Sequence, residues 1–187
     1  MADPTPVKRV QTEGNLAWLD LEMTGLDAQR DVILQAALIV TDAELNVLEE
    51  YCVDVWQPEH ELAKMTPFVR DMHEKSGLIT RLRASKVDCW AAEQRLLERV
   101  TAYIPYPAVL CGNTIGQDKR FVERWMPGFA GYLSYRTIDV SSVKLLAKSW
   151  YGPGALFDKP KDREHDALFD VRQSIAELLH YRKTIFR

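Results

Sequence analysis

The chain has 187 residues, of which 47% are apolar and 10% aromatic, and its 24 Lys and Arg against 27 Asp and Glu give a formal charge of -3 at pH 7. This composition excludes a mainly disordered chain, and no apolar run approaches the roughly 18 residues that a membrane-spanning helix needs. We therefore expect a cytoplasmic protein without a membrane partner. Because basic residues do not outnumber acidic ones, a broad basic surface that binds long nucleic acid is not expected.

The first half of the chain carries three strand-like segments in succession. Residues 1–13 precede them, contain few apolar side chains, and are expected to form a flexible lead-in to a single domain at 14–187. The connections between the segments are polar and turn-forming, which favours an antiparallel meander. The predicted strands cover residues 16–22, 32–41 and 47–55.

The second half alternates short apolar segments with helical ones. Two predicted strands, 108–111 and 135–139, each run into a helix, and this alternation is typical of parallel strands. We therefore expect an α/β fold in which parallel strands extend the meander into a mixed sheet with helices on its faces. The predicted helices cover residues 66–77, 85–104, 141–150 and 166–183, and another begins near 117; residues 151–163 are expected to form a loop.

Asp20 and Glu22 form the most informative acidic pair. The same Asp-x-Glu pattern recurs at 42–44 and 162–164, where a turn and a polar loop favour solvated acids. Asp20 and Glu22 instead lie in an apolar strand, whose two-residue period points both carboxylates to the face of Trp18 while the intervening leucines face the other side. Two neighbouring carboxylates repel each other, and the strand supplies no Lys or Arg, so a divalent metal is the economical partner. An ordinary pair of acids at a strand end is the alternative.

Further polar residues are candidates for the same chemistry. Asp118 falls in the apolar stripe of its helix, and the alternative is an aspartate that caps the first helical turn. Asp166 and Asp170 share one face of the last helix, and periodicity does not choose between them. His165 stands just ahead of that helix, where a histidine is more often structural or exposed than catalytic.

Together these residues resemble the three motifs of the DEDD exonuclease superfamily in its histidine-bearing DEDDh branch: Asp-x-Glu on a first strand, Asp in the middle, and His-x4-Asp near the end. Longer segments are similar to the oligoribonucleases of that branch, and the likeness spans nearly the whole chain from residue 15 onward. The resemblance implies a ribonuclease H-like fold with a mixed five-stranded sheet, and it selects Asp170 over Asp166. The segments are WLDLEMTGLD (18–27), CGNTIGQDKRF (111–121), YRTIDVSSVK (135–144) and HDALFDVRQSIAELLHYR (165–182).

The resemblance implies a two-metal hydrolase. Two divalent ions, Mg2+ or Mn2+, would be held by four acids and bridged by the substrate phosphate, and His165 would accept the proton of the attacking water. The implied activity is 3'-to-5' removal of 5'-nucleotides from single-stranded RNA of two to about five nucleotides, which needs few phosphate contacts. The implied metal ligands, which with His165 are also the implied catalytic residues, are Asp20, Glu22, Asp118 and Asp170.

The resemblance also implies a homodimer whose subunits close around the 5' end of the substrate. Leu26 would act as a wedge against the bases, and Tyr135 would stack on them from the other subunit. From the residues alone, Tyr135 could instead be a core residue of its strand, and Ser141 a helix cap. Hydroxyls and an arginine fork suit a phosphate. The implied 5'-phosphate groups are Thr114, Arg136, Ser141 and Lys144.

Gln35 departs from the family pattern, which commonly has Glu at this position. The change does not touch the implied metal ligands, but a buried glutamine must find hydrogen-bond partners. Two other functions stay open. One is a DEDDh exonuclease that trims longer RNA or proofreads DNA, for which an open groove with basic flanks would be expected; the other is an inactive, metal-dependent module that binds oligonucleotides.

Overall fold

A five-stranded mixed sheet organises the residues that the computed structural model describes, 10–160 and 166–186. Its strands are β1 (Leu16–Met23), β2 (Ile33–Thr41), β3 (Val47–Asp54), β4 (Ala108–Gly112) and β5 (Leu133–Asp139). They lie in the order β3-β2-β1-β4-β5; β2 is antiparallel to both β1 and β3, whereas β4 is parallel to both β1 and β5. The predicted mixed sheet, a meander extended by parallel strands, is confirmed.

Helices cover both faces of this sheet. They are α1 (Glu59–Leu62), α2 (Pro67–Lys75), α3 (Leu78–Ala84), α4 (Cys89–Tyr103), α5 (Gly116–Trp125), α6 (Pro127–Tyr132), α7 (Val140–Tyr151) and α8 (Ala167–Thr184). Leu19 and Leu21 of β1 belong to the core beneath α4, α5 and α6, whereas Trp18 and Ile39 belong to the core beneath α7 and α8. A smaller apolar cluster joins α1 and α3 to the start of β2. The alternation predicted for β1 is therefore confirmed, with Asp20 and Glu22 on the α8 side.

The predicted helix starts are accurate where a capping side chain marks them. Thr66 caps α2 by accepting a hydrogen bond from the N–H of Val69 at 3.3 Å. The helix predicted from residue 85 begins later, because Asp88 is the residue that caps α4. Gly77 ends α2 as predicted, but its left-handed backbone, with φ of 72°, also leads directly into α3, which the sequence did not indicate.

The described part of the predicted lead-in touches the end of α4. The Gln11 side chain donates to the carbonyl of Thr101 at 2.6 Å, and the N–H of Thr12 donates to the carbonyl of Tyr103 at 3.0 Å. Residues 1–9 lie outside the described residues, so the flexible lead-in and the single domain stay predictions. Across 10–160 and 166–186, no helix combines the length and the apolar character that a membrane crossing requires.

Candidate active site

Asp20, Glu22 and Asp170 converge near the end of the central strand. The first two project from β1 on the face covered by α8, and the first turn of α8 supplies the third. One carboxylate oxygen of each lies within 4.8 Å of the others. Asp166 caps α8 by accepting a hydrogen bond from the N–H of Phe169 at 3.1 Å. The cap role therefore belongs to Asp166, and Asp170 is the residue that joins this group of three, hereafter the acid cluster.

Asp118 lies beside the acid cluster rather than within it. The residue is buried in the first turn of α5, and its Oδ1 accepts a hydrogen bond from the N–H of Leu21 at 3.0 Å. This bond fixes Asp118 to the strand segment between Asp20 and Glu22. Its carboxylate is close enough to raise the pKa of both residues. Since the carboxylate is turned toward β1, the geometry favours a site residue over an ordinary first-turn aspartate.

Burial and repulsion by neighbouring carboxylates raise the pKa of Asp20, Glu22 and Asp118. Burial, with the neighbouring Asp170 and Asp118 carboxylates, raises the pKa of Glu22 from 4.5 to about 8. Burial also raises the pKa of Asp118 from 3.8 to about 7, although the hydrogen bond from Leu21 acts in the opposite direction. The pKa of Asp20 lies well above 3.8 because of burial and the nearby carboxylates. A donor set made of carboxylate oxygens alone, close enough to repel one another when ionised, fits divalent cations.

Two basic residues that the sequence did not single out lie against these acids. Lys159 places its Nζ 2.6 Å from Oδ1 of Asp170, and its charge lowers the pKa of Asp20 against the repulsion. His73 is fully buried on α2, with Nδ1 3.9 Å from Oε2 of Glu22. Its Nε2 lies 2.9 Å from the carbonyl oxygen of Met23, which can only accept, so Nε2 carries a proton. The only sequence feature that could have pointed to Lys159 is its place in a lysine-rich loop, and no sequence pattern distinguishes His73.

Gln35 connects the sheet to the start of α8. Its side chain is buried; Nε2 donates to Oδ1 of Asp54 at 2.6 Å, and Oε1 accepts from the N–H of Ala167 at 3.2 Å. Asp54 in turn lies 3.3 Å from Nε of Arg81. An amide can donate to a carboxylate and accept from a backbone N–H at once, whereas an ionised glutamate can only accept. The departure from the family pattern is therefore explained by Asp54 on the adjacent strand.

Replacing Gln35 by glutamate is expected to destabilise the fold. Gln35→Glu removes the donor to Asp54 and sets two carboxylates against each other, at a cost of about 1–3 kcal/mol. In the double variant Gln35→Glu/Asp54→Asn, the new asparagine amide restores a donor, so most of the loss should be recovered. Urea unfolding of the two single variants and the double variant measures this coupling. Additive losses in the double variant would contradict the assigned bond.

A second group of polar side chains lies at the ends of β4 and β5. Because β1, β4 and β5 are parallel, their carboxyl ends meet at the sheet edge that also carries the acid cluster. The N–H of Thr114 donates to Oδ1 of Asp139 and to Oγ of Ser141, both at 3.0 Å, and the Thr114 and Ser141 hydroxyl oxygens are 3.1 Å apart. Asp139 is the residue that caps α7, so the cap alternative for Ser141 is wrong.

Three further predicted site residues lie close to Ser141 in the sequence: Tyr135, Arg136 and Lys144. Nζ of Lys144 lies 3.5 Å from Oε1 of Glu177. The guanidinium carbon of Arg136 lies 5.1 Å from the centroid of the Tyr135 ring. Tyr135 is 79% exposed, so the alternative of a core residue is wrong. The exposed ring is available to a ligand or to another protein surface.

Leu26 stands exposed on the loop that follows β1. Asp31 ties the loop from inside, because its carboxylate accepts from the Thr24 hydroxyl at 3.2 Å and from the N–H of Asp27 at 2.9 Å. A Cβ at Gly25 would lie 2.4 Å from Oδ2 of Asp31, so a side chain there would displace the Asp31 carboxylate from these bonds. Leu26 lines two clefts, of about 620 and about 360 Å³. The Leu26 side chain is therefore accessible from two sides.

His165 lies outside the described residues, and its catalytic role stays a prediction. The other ten site residues predicted from the sequence are all described. Those for metal binding gather around the acid cluster, and two of those for phosphate binding, Thr114 and Ser141, are in direct contact.

Comparisons with known proteins agree with this geometry. The model of the exonuclease family matches residues 17–178. The chain is 45% identical over 175 residues to the oligoribonuclease of Photorhabdus laumondii, covering 92% of this chain and 96% of the relative. It is 44% identical over 179 residues to the oligoribonuclease of Azoarcus sp., covering 95% and 98% of the two chains.

Solved structures of exonuclease I share the fold. The E. coli enzyme in complex with a 5cy-dT13 oligonucleotide matches with a TM-score of 0.74 and 18% identity, over 93% of this chain and 42% of that one. The enzyme of Methylocaldum szegediense matches with a TM-score of 0.73 and 20% identity, over 91% and 41%. The chain thus spans about two fifths of these exonuclease I chains, and the likeness establishes a ribonuclease H-like fold.

The acid cluster at the end of a central strand, the exonuclease model over most of the chain and two relatives at 44–45% identity lead to one assignment. The chain belongs to the oligoribonuclease family, and it is a 3'-to-5' exonuclease that hydrolyses phosphodiester bonds of nucleic acid.

Proposed function

We propose that this exonuclease degrades very short RNAs, including dinucleotides, from the 3' end to 5'-mononucleotides. The observation that supports the proposal is the presence of two chemically different groups at one edge of the sheet. The acid cluster suits a scissile phosphodiester with divalent cations, and the Thr114 and Ser141 hydroxyls suit a second, terminal phosphate. Two sites for the two ends of a substrate favour a substrate of limited length.

Two divalent ions, Mg2+ or Mn2+, fit the donors that are present. The candidate ligands are Asp20, Glu22 and Asp170, with Asp118 beside them. When bound, such ions would lower the pKa of the attacking water and neutralise the charge that develops on the leaving 3'-oxygen. The same cations would favour the ionised form of Glu22, whose pKa burial and the neighbouring carboxylates otherwise raise to about 8.

His165 is the proposed general base. A histidine with an ordinary pKa near 6.5 is largely neutral at cellular pH and can take the proton of the attacking water. The water oxygen bonds to phosphorus while the bond from phosphorus to the 3'-oxygen breaks. The 3'-oxygen takes up a proton from solvent, and the 3'-terminal residue leaves as a 5'-nucleotide. This role rests on the position of His165 ahead of α8 in the sequence and on the family resemblance.

The proposed binding of the 5' end explains a preference for short RNA. The positive side chains of Arg136 and Lys144 would bind the 5'-phosphate together with the two hydroxyls. The exposed Leu26 would separate the bases. A closed 5' site favours substrates of two to about five nucleotides, because the 5'-phosphate of a longer RNA lies beyond the groups that would bind it and gains no contacts there.

A homodimer is part of the same proposal. The Tyr135 ring is exposed, and α7 also exposes apolar side chains that a second copy could cover. Leu146 and Trp150 there line a cleft of about 150 Å³ together with Phe186. Sedimentation velocity at micromolar concentration tests this assembly, and a monomer would contradict it.

The cytoplasmic location stays a prediction from the sequence.

Removing Arg136 should affect short substrates selectively. For Arg136→Ala we expect kcat/KM on a 5'-phosphorylated dinucleotide to fall about 10- to 100-fold, since a hydrogen bond to a charged group contributes about 1.5–3 kcal/mol. Cleavage of a heptamer, whose 5' end lies beyond the site, should change little. Arg172→Ala is the matched control, because it removes an exposed arginine that pairs with Glu50. Equal losses on dinucleotide and heptamer would contradict the 5'-phosphate role.

A further inference from the structure

Glu177 is a buried acid that the proposed reaction does not use. It lies on α8, is 1% exposed and is hydrogen-bonded through both oxygens. The hydroxyl of Tyr181 donates to Oε1 at 2.8 Å, and Nδ2 of Asn113 donates to Oε2 at 3.2 Å. Nζ of Lys144 lies 3.5 Å from Oε1. Burial and this carboxylate raise the pKa of Tyr181 to about 12.

Stability alone is a weak explanation for such a group. A buried carboxylate has a large desolvation cost, and apolar residues of similar volume are often as stable or more stable in its place. A role in fixing its partners is therefore the better explanation, and two of the partners, Asn113 and Lys144, lead to the proposed 5'-phosphate site.

Asn113 carries the connection to the two hydroxyls. Its Oδ1 accepts a hydrogen bond from the Ser141 hydroxyl at 3.1 Å, and the next residue along the chain is Thr114. Its Nδ2 donates both to Glu177 and to Oγ of Ser174, at 3.2 and 3.0 Å. The orientation of the Asn113 amide, and with it the position of the Ser141 hydroxyl, is thus set from α8.

The same helix carries Asp170 of the acid cluster. Glu177 follows Asp170 by seven residues, so the two lie on one side of α8, about 10 Å apart along its axis. Ser174 stands between them and donates to the carbonyl of Asp170 at 3.0 Å. A rigid helix of two turns therefore separates the groups that face the scissile phosphate from those that fix the 5'-phosphate site.

We propose that Glu177 is a positioning residue that fixes Asn113 and Lys144, and through them the 5'-phosphate site, at a set distance from the acid cluster. This inference rests on the proposed 5'-phosphate site and names the residue that determines its spacing. Glu177 touches neither the scissile bond nor the terminal phosphate. Its loss should therefore weaken the discrimination in favour of a 5'-phosphate, while hydrolysis itself is retained.

The test uses Glu177→Gln and three substrates with Mg2+: a dinucleotide with a 5'-phosphate, the same dinucleotide with a 5'-hydroxyl, and bis-p-nitrophenyl phosphate, which needs only the acid cluster. We expect kcat/KM on the phosphorylated dinucleotide to fall about 10- to 100-fold, as is typical when a residue that orients a ligand-binding group is lost. Activity on the other two substrates should stay within about twofold, a split that a general loss of stability would not produce.

Two further variants keep the test decisive. Tyr181→Phe removes one hydrogen bond to Glu177 but leaves the contacts with Asn113 and Lys144, so it should retain the 5'-phosphate preference. If Glu177→Gln does not fold, Asn113→Ala interrupts the same connection and should show the same selective loss. Equal losses on all three substrates, or an unchanged preference, would overturn the inference. A wild-type enzyme without any 5'-phosphate preference would instead refute the proposed site itself.

Discussion

Asp170→Asn is expected to lower hydrolysis of a 5'-phosphorylated dinucleotide by on the order of 1,000-fold, beyond the roughly 10- to 100-fold typical of residues that only orient a ligand. The physical reason is the loss of one carboxylate from the three whose oxygens lie within 4.8 Å of one another. With fewer anionic ligands, the site should also bind Mn2+ more weakly. Initial rates across a Mg2+ series and Mn2+ titration by calorimetry measure the two effects.

Asp166→Asn is the matched control for this prediction. Asp166 lies four residues earlier on the same helix and accepts a hydrogen bond from the N–H of Phe169 as its cap. Asparagine caps helices about as well as aspartate, so this variant should keep near-native stability and rate. A near-native rate in Asp170→Asn, or equal losses in both variants, would show that the acid cluster is not the metal site.

Glu22→Gln should stabilise the metal-free protein progressively as the pH rises from 5 to 9. The pKa of Glu22 is raised to about 8 in the folded state, from a usual 4.5, so the folded wild type binds more protons than the unfolded chain between these values. The contribution of Glu22 to the free energy of unfolding is therefore fully present below about pH 4.5 and is lost as the pH rises to about 8. Above that pH it no longer changes. Glutamine has no such dependence.

The gain of Glu22→Gln over the wild type should reach roughly 2–5 kcal/mol at pH 9, because each pKa unit corresponds to about 1.4 kcal/mol. Urea unfolding in EDTA at a series of pH values measures the difference. Carboxylates with a lowered pKa, such as Asp42 and Glu50, titrate below this range and are common to both proteins. Added Mg2+ should reverse the order at pH 9, since it stabilises the protein whose site is intact. A difference that does not change with pH would contradict the assigned repulsion.

Most of the fold could be predicted because local signals and packing agree. The β1 segment alternates so that Trp18 and the acids face α8 while the leucines face the opposite core, and this pattern is visible in the sequence. Helix starts were harder to predict where one helix follows another directly. Gly77 looks like a stop, yet its positive φ only turns the chain into α3.

The acidic residues of the candidate site could be predicted from the sequence, but the hydrogen bonds that hold the site together could not. An acid in an apolar strand violates the usual pattern, and that made Asp20 and Glu22 conspicuous. Glu177 and His73 gave no such signal, because their partners are distant in sequence: Asn113 lies 64 residues from Glu177, and Met23 lies 50 residues from His73. Which of Asp166 and Asp170 caps the helix likewise depends on geometry that periodicity does not contain.

The most direct test of the proposed function follows the products from 5'-labelled, 5'-phosphorylated RNAs of two to ten nucleotides with the wild-type enzyme and Mg2+. We predict stepwise shortening from the 3' end, the highest kcat/KM on the shortest substrates, and complete conversion of the dinucleotide to mononucleotides. Accumulation of dinucleotide as the final product, or a rate that rises with length, would contradict the proposal.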